Sequence, residues 1–253
     1  MTTSLLQNVE STTLAFDEIA NRTKQIHSAV LSRSDYIEAA NFTSIHPLDL
    51  EFLFTEYDNR FFDGQIRGTL GTTPLAFGLS KRMTSSGGKT ACYTARAGGN
   101  QRYEISVSTT ILFSCFGGDD HRPITASGIT CLDRLDALQR VMEHELTHLI
   151  EMLLWSKSSC SQSRFHSITL RFFGHTENKH QLITPREKAM VKYGIKPGIT
   201  VRFMLDGVEH RGVVNRINKR ATVLVEDGRG ERYSNGRHYA KFYVPLHLLE
   251  VVE

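Results

Sequence analysis

Residues 132–155, LDRLDALQRVMEHELTHLIEMLLW, decide how the rest of the chain is read. Leu135, Leu138, Val141, Met142, Leu146, Leu149, Ile150 and Leu153 recur at the intervals of a helix with one wide apolar face. The run is long enough for about six turns. Inside it stands His144-Glu145-Leu146-Thr147-His148. Side chains four residues apart lie one above the other on a helix, so both imidazoles reach a single metal ion. Imidazole nitrogen suits zinc. The carboxylate beside the first histidine is placed to take a proton from a water that such an ion acidifies. His144 and His148 are therefore the candidate ligands, and Glu145 the candidate general base.

A catalytic zinc site uses three protein ligands and leaves a fourth position open. The metzincin pattern needs glycine and then histidine further along the same helix, at positions held here by Glu151 and Leu154. The third ligand must come from further along the chain, where a Ser-rich break, SKSSCSQS, follows the helix. His166 opens the next helical stretch, HSITLRFFG, which Gly174 closes. His175, His180 and the carboxylate of Glu177 are its rivals. Cys92, Cys115, Cys131 and Cys160 form no CxxC pair, so neither a zinc ribbon nor a disulfide framework fits. They read as reduced, mostly buried thiols of a cytosolic protein.

Upstream, Pro47 opens a helix, LDLEFLFTEYDNRFF, that Asp63-Gly64 ends. The period then shortens, and LAFGLSKRM, TSSGGKT, ACYTARA and RYEISVSTTIL read as three strands joined by Gly-rich turns, AGGNQ among them. A loop rich in Gly, Asp and Pro spans Gly117 to about Ile129. Gly87-Gly88-Lys89-Thr90 invites comparison with a phosphate loop, but Met83 stands where that motif needs glycine, and two strands flank it. A turn is the better reading. Residues 1–45 read as polar-faced helices that pack onto another element or another chain.

Three stretches resemble the SprT-like metalloproteases, the family that includes Spartan-type proteases. LEFLFTEYDNRFFDGQI is similar to its opening helix, and FGLSKRMTSSGGKTACY with RYEISVSTTIL to its strand segment. MEHELTHLIEMLL followed by FHSITLRFFGHT is similar to its zinc helix and the segment bearing its third histidine. That histidine usually opens an HGxxF-like motif, and His166-Ser167-Ile168-Thr169-Leu170 stands in its place. The resemblance covers about residues 46–185. It implies one Zn2+ per chain on His144, His148 and His166, a small antiparallel sheet over the zinc helix, and an edge strand that takes an extended peptide. It also implies a protein substrate, including proteins bound or crosslinked to DNA. The four-cysteine ribbon of many relatives is missing here, which weakens the DNA link.

From Lys196 apolar and polar residues alternate around turns at Asp206-Gly207, Asn218-Lys219 and Asp227-Gly228. About five short strands suggest a small barrel, which resembles SH3-like modules of the KOW or Tudor sort. Arg216, Lys219 and Arg220 cluster around one turn and could meet phosphates, although a solvated hairpin tip explains them somewhat better. The expected fold is thus α+β: a helical extension (1–45), a zincin-like metalloprotease domain (46–195) and an SH3-like barrel (196–253). Charged residues are 23% and hydrophobic residues 40% of the chain, which excludes a disordered or low-complexity protein. A net charge of +3 neither demands nor forbids nucleic acid. No apolar run is long enough for a membrane span and a secretory signal is not expected, so a cytoplasmic zinc metallopeptidase, with nucleoid association left open, is the expectation. Two other classes stay open. One is a nucleic-acid- or chromosome-associated protein with a structural zinc, which a fourth protein ligand would favour. The other is a hydrolase of a non-protein amide, which a deep closed pocket would favour.

Overall fold

A computed structural model describes residues 4–94, 101–118 and 120–252. The expected Gly98-Gly99 turn lies outside these residues. The chain is α+β and divides into two compact units, Met1–Leu182 and Ile183–Glu253. No helix among the described residues is long and apolar enough to cross a membrane.

The first unit begins with α1 (Leu5–Ser11), capped by Ser4 and Gln7 in a reciprocal box, and α2 (Phe16–Arg33). Pro47 starts α3 (Pro47–Phe62), and Asp63 and Gly64, both left-handed, turn the chain into α4 (Gln65–Leu70). Strands β1 (Leu75–Ser80), β2 (Gly88–Thr94) and β3 (Gln101–Ser108) follow, then the short α5 (Thr109–Leu112). Two-residue strands β4 (Thr125–Ala126) and β5 (Ile129–Thr130) form a hairpin within the Gly/Asp/Pro-rich loop. The long helix is α6 (Arg134–Trp155). Asp133 caps it by accepting from the Asp136 amide at 2.8 Å, and a left-handed Ser156 ends it. Helix α7 (Ser163–Phe173) stops at left-handed Gly174, and β6 (His180–Gln181) pairs with β4.

The apolar face of α6 is the centre of this unit. Leu135, Leu138, Val141, Met142, Leu146, Leu149 and Ile150 are all buried, against the sheet through β2 and against α2, α3 and α7. The N-terminal helices pack within the same unit rather than standing apart as an extension. Arg171 of α7 donates to the carbonyls of Val9 and Thr12, and the Gln139 amide donates to the carbonyl of Thr23 at 3.0 Å. Buried Arg134 fixes the segment before α3, donating to the carbonyls of Asn41 and Phe42 as well as Leu112 and Cys115.

The sheet departs from the antiparallel expectation. Its order is β1-β3-β2, with β2 antiparallel and β1 parallel to β3. Strand direction alternates along the chain, but the third strand slots between the first two and so runs parallel to the first. β2 is left as an edge.

The second unit holds α8 (Pro185–Tyr193), β7 (Thr200–Leu205), β8 (Val208–Ile217), β9 (Ala221–Arg232), β10 (His238–Val244), a 3-10 turn at Leu246–Leu248, and β11 (Glu250–Val251). Ala189 and Ile195 share its core with Val201, Phe203, Val214, Ile217 and Val223. The division therefore falls ahead of α8, not near residue 195. The expected closed barrel is not formed. The strands make an open meander, β10-β9-β8-β7-β11, whose two ends do not pair among the described residues. Asp206-Gly207 turns as expected, both residues having positive φ. Asp227-Gly228 does not turn. It lies within β9, where the register with β10 jumps and Gly230 presses on the Tyr239 backbone.

Candidate metal centre

One turn of α6 separates His144 from His148, and their Nε2 atoms are 3.1 Å apart. The ring of Phe165, from the first turn of α7, packs on both, with centroids 4.8 and 4.6 Å away. The tautomer of His148 follows from its partners. Ser158 Oγ donates to the buried carboxylate of Glu151 at 2.6 Å, which uses its only proton. Its oxygen must then accept from His148 Nδ1, also at 2.6 Å. The lone pair of His148 is thereby left on Nε2, facing His144. Arg164 holds the other oxygen of Glu151 at 2.7 Å and lies over the Trp155 ring. A histidine oriented through its far nitrogen is how protein metal ligands are ordinarily fixed. Burial, and secondarily the neighbouring His148, lowers the pKa of His144 to about 2; burial lowers that of His148. Both shifts favour the neutral imidazole, the form that binds a metal.

Cys160 offers a third ligand atom beside them. Among the described residues, His144, His148 and Cys160 form the one group of three whose ligand atoms lie within 4.8 Å of one another. Nitrogen and sulfur donors suit zinc, so the residues fit the expected ion. His166 is not brought into this group. It is exposed, with Nε2 3.5 Å from Asn178 Nδ2, while that amide also donates to the Cys160 carbonyl at 2.7 Å. The first turn of α7 directs Phe165 to the histidine pair and His166 elsewhere. His175 is buried and spent on Glu143 at 2.7 Å, and Glu177 is exposed and accepts from Gln181. Of the three rivals only His180 lines the cleft. Cys160→Ala is expected to lower zinc content below one ion per chain while His166→Ala keeps it, measured by elemental analysis after dialysis. The reverse pattern would return the third position to His166.

Glu145 is 2% exposed. Thr90 of β2 donates to its Oε2 at 2.7 Å. Burial pushes its pKa up to about 7, against the lowering effect of the Thr90 hydrogen bond. A carboxyl poised near neutrality is suited to taking up and releasing a proton. The close approach of β2 depends on Gly88, where an added Cβ would sit 2.6 Å from Glu145 Oε1. The glycines once comparable to a phosphate loop thus bring an edge strand against a carboxylate. His144, Glu145, His148, Cys160 and His180 line an open cleft of about 480 Å3, with Lys89 and Lys179 at its wall. A second, mainly apolar groove of about 610 Å3, lined by Phe16, Ile19, His27 and Leu132, holds no part of the histidine group.

Behind the pair, Glu143 is fully buried and accepts from Tyr57 Oη at 2.7 Å, Arg140 at 2.9 Å and His175 at 2.7 Å. Burial works against the charge on Arg140, but Glu143 together with Tyr57, Asp136 and Cys131 outweighs it and raises the arginine pKa. Glu143 adjoins His144 in the chain, so the network helps fix the rotation of α6 that sets the two imidazoles toward the cleft. Glu143→Ala leaves the buried Arg140 guanidinium with Asp136, at 3.3 Å, as its remaining acidic partner, takes the acceptor from Tyr57 and His175, and is expected to cost about 3–5 kcal/mol in denaturant unfolding. A loss under 1 kcal/mol would make the network incidental.

Sequence reasoning reached His144, Glu145 and His148 but passed over Cys160, Ser158, Glu151 and Thr90. A cysteine in the loop just after the histidine pair was the available signal for the first. Arg216, Lys219 and Arg220 are exposed around the β8–β9 turn, well apart in sequence from the cleft residues. No family model matches the chain, and neither a curated protein nor a solved structure matches it significantly.

Proposed function

We propose that the chain is a zinc-dependent peptidase with a zincin-like catalytic unit. The observation that carries this reading is the pair of Nε2 atoms 3.1 Å apart with the buried carboxylate of Glu145 between them in sequence and beside them in one open cleft. Three donors within reach among the described residues also suit a catalytic ion, which keeps three protein ligands. His144, His148 and Cys160 would hold the ion. When bound, zinc polarises a carbonyl and acidifies water.

The chain's own residues supply the rest. Glu145 takes a proton from the attacking water and returns one to the amide nitrogen as the C–N bond breaks. Thr90 keeps the carboxylate in place during both transfers. β2, as an edge strand, offers unpaired main-chain groups along which an extended peptide can lie. An open cleft suits such a segment better than a small conjugate would, and it favours protein over the non-protein amide.

Cleavage of an unfolded protein such as casein by the zinc-loaded chain, abolished by a chelator and restored by zinc, tests the reading. Parallel reactions on a DNA-binding protein, with and without single-stranded DNA, test the substrate class. Acceleration by DNA would support DNA-bound proteins as substrates. Equal rates would remove DNA from the proposal and keep the peptidase.

A further inference from the structure

We propose that His180 is a catalytic hydrogen-bond donor of this cleft, its Nε2–H receiving the carbonyl oxygen of the amide under attack. The inference deepens the peptidase reading and rests on it.

The backbone N–H of Gly87 lies 3.0 Å from His180 Nδ1. A main-chain amide can only donate, so Nδ1 is the acceptor and carries no proton. The single proton of the neutral ring is then on Nε2. Metal ligation needs a lone pair, and Nε2 in this tautomer has none to give. His180 therefore lines the cleft without being a ligand. Its ring lies 5.5 Å from that of His144, centroid to centroid, with the planes 72° apart.

The placement is built by three elements. β6 holds the His180 backbone by pairing it with Ala126 of β4. The turn entering β2 brings Gly87 to the ring, and a Cβ there would stand 2.6 Å from Nδ1 and 3.0 Å from Val141 of α6. The next residue, Gly88, makes the same close approach to Glu145 Oε1. Two consecutive glycines thus set the donor and the base against one stretch of backbone, which fixes their spacing.

In the reaction, water oxygen bonds to the carbonyl carbon, its proton passes to Glu145, and the π electron pair moves onto the carbonyl oxygen. The Nε2–H of His180 stabilises that charge without giving up its proton. The C–N bond then breaks as Glu145 returns its proton to the nitrogen, and the proton of the added hydroxyl follows to the amine, leaving carboxylate and ammonium. Such a donor contributes on the order of 10²–10³-fold in turnover.

The test compares wild type, Glu145→Gln, His180→Ala and His180→Gln as full-length zinc-loaded chains on casein and on a quenched peptide cut from its cleavage site. His180→Ala is expected to keep one zinc per chain and lose about 10²–10³-fold in kcat with KM little changed. His180→Gln, whose amide can donate, should recover part of the loss. Nitrogen-15 NMR of labelled histidine in the zinc-loaded wild type should show His180 protonated at Nε2. Loss of zinc in His180→Ala, or a metal-bound Nε2, would make His180 a ligand and overturn the proposal. Full activity in His180→Ala, where Glu145→Gln is dead, would overturn it and leave the peptidase standing. A wild type that cleaves nothing with zinc bound would overturn both.

Discussion

Glu145→Gln is expected to bind zinc like the wild type and to lose peptide hydrolysis on the order of 10²–10⁴-fold. The substitution changes almost nothing but the proton. Glutamine has the shape of the buried carboxyl, and its amide oxygen can still accept from Thr90. Gly88 leaves room for either side chain equally. A side chain that cannot take a proton cannot activate water, so the loss should fall on kcat, with metal content and thermal stability unchanged. Steady-state kinetics and elemental analysis of the two purified proteins decide the matter. Equal turnover would refute the assigned role of Glu145.

His148→Ala should abolish stable zinc binding. Its loss removes a donor outright and strands the Ser158–Glu151–Arg164 chain that orients it. Loss of an orienting partner alone costs metal affinity about 10–100-fold, and loss of the ligand itself should exceed that. Competition with a chromophoric chelator measures the change. Ser158→Ala provides the graded comparison, because it spares the imidazole and removes only its anchor. Wild-type affinity in His148→Ala would place the ion elsewhere.

The features legible in the sequence are those that local spacing determines. The apolar period of α6 and the four-residue interval between His144 and His148 depend on one helix, and both appear in the structure. The three strands before α6 were visible for the same reason, since alternation is local. What escaped depends on pairing at a distance. Cys160 reaches the histidines only because the loop after α6 folds back, and nothing in SKSSCSQS declares that path. Resemblance to a motif favoured His166, yet the start of α7 turns Phe165 inward instead. The parallel pairing of β1 with β3 and the open ends of the second sheet are likewise matters of which strands meet. Helix α8 was a different kind of miss. Thr184 caps it from the Glu187 amide, with Pro185 at its first position, a start signal present in the sequence and left unused.

The central position of β3 bears on the order in which the molecule can be assembled. During synthesis β1 leaves the ribosome before either possible neighbour, and its first neighbour in sequence, β2, never pairs with it. β2 and β3 join first, as contacts between near segments generally do. Until that ribbon docks, β1 carries open main-chain groups on both sides, the condition in which strands pair wrongly with other copies. The α3 helix, made earlier and packed against β1 in the finished unit, is already present to shelter it. The aromatic residues of α3 thus have an early duty as nursemaids to a strand, before they serve as core.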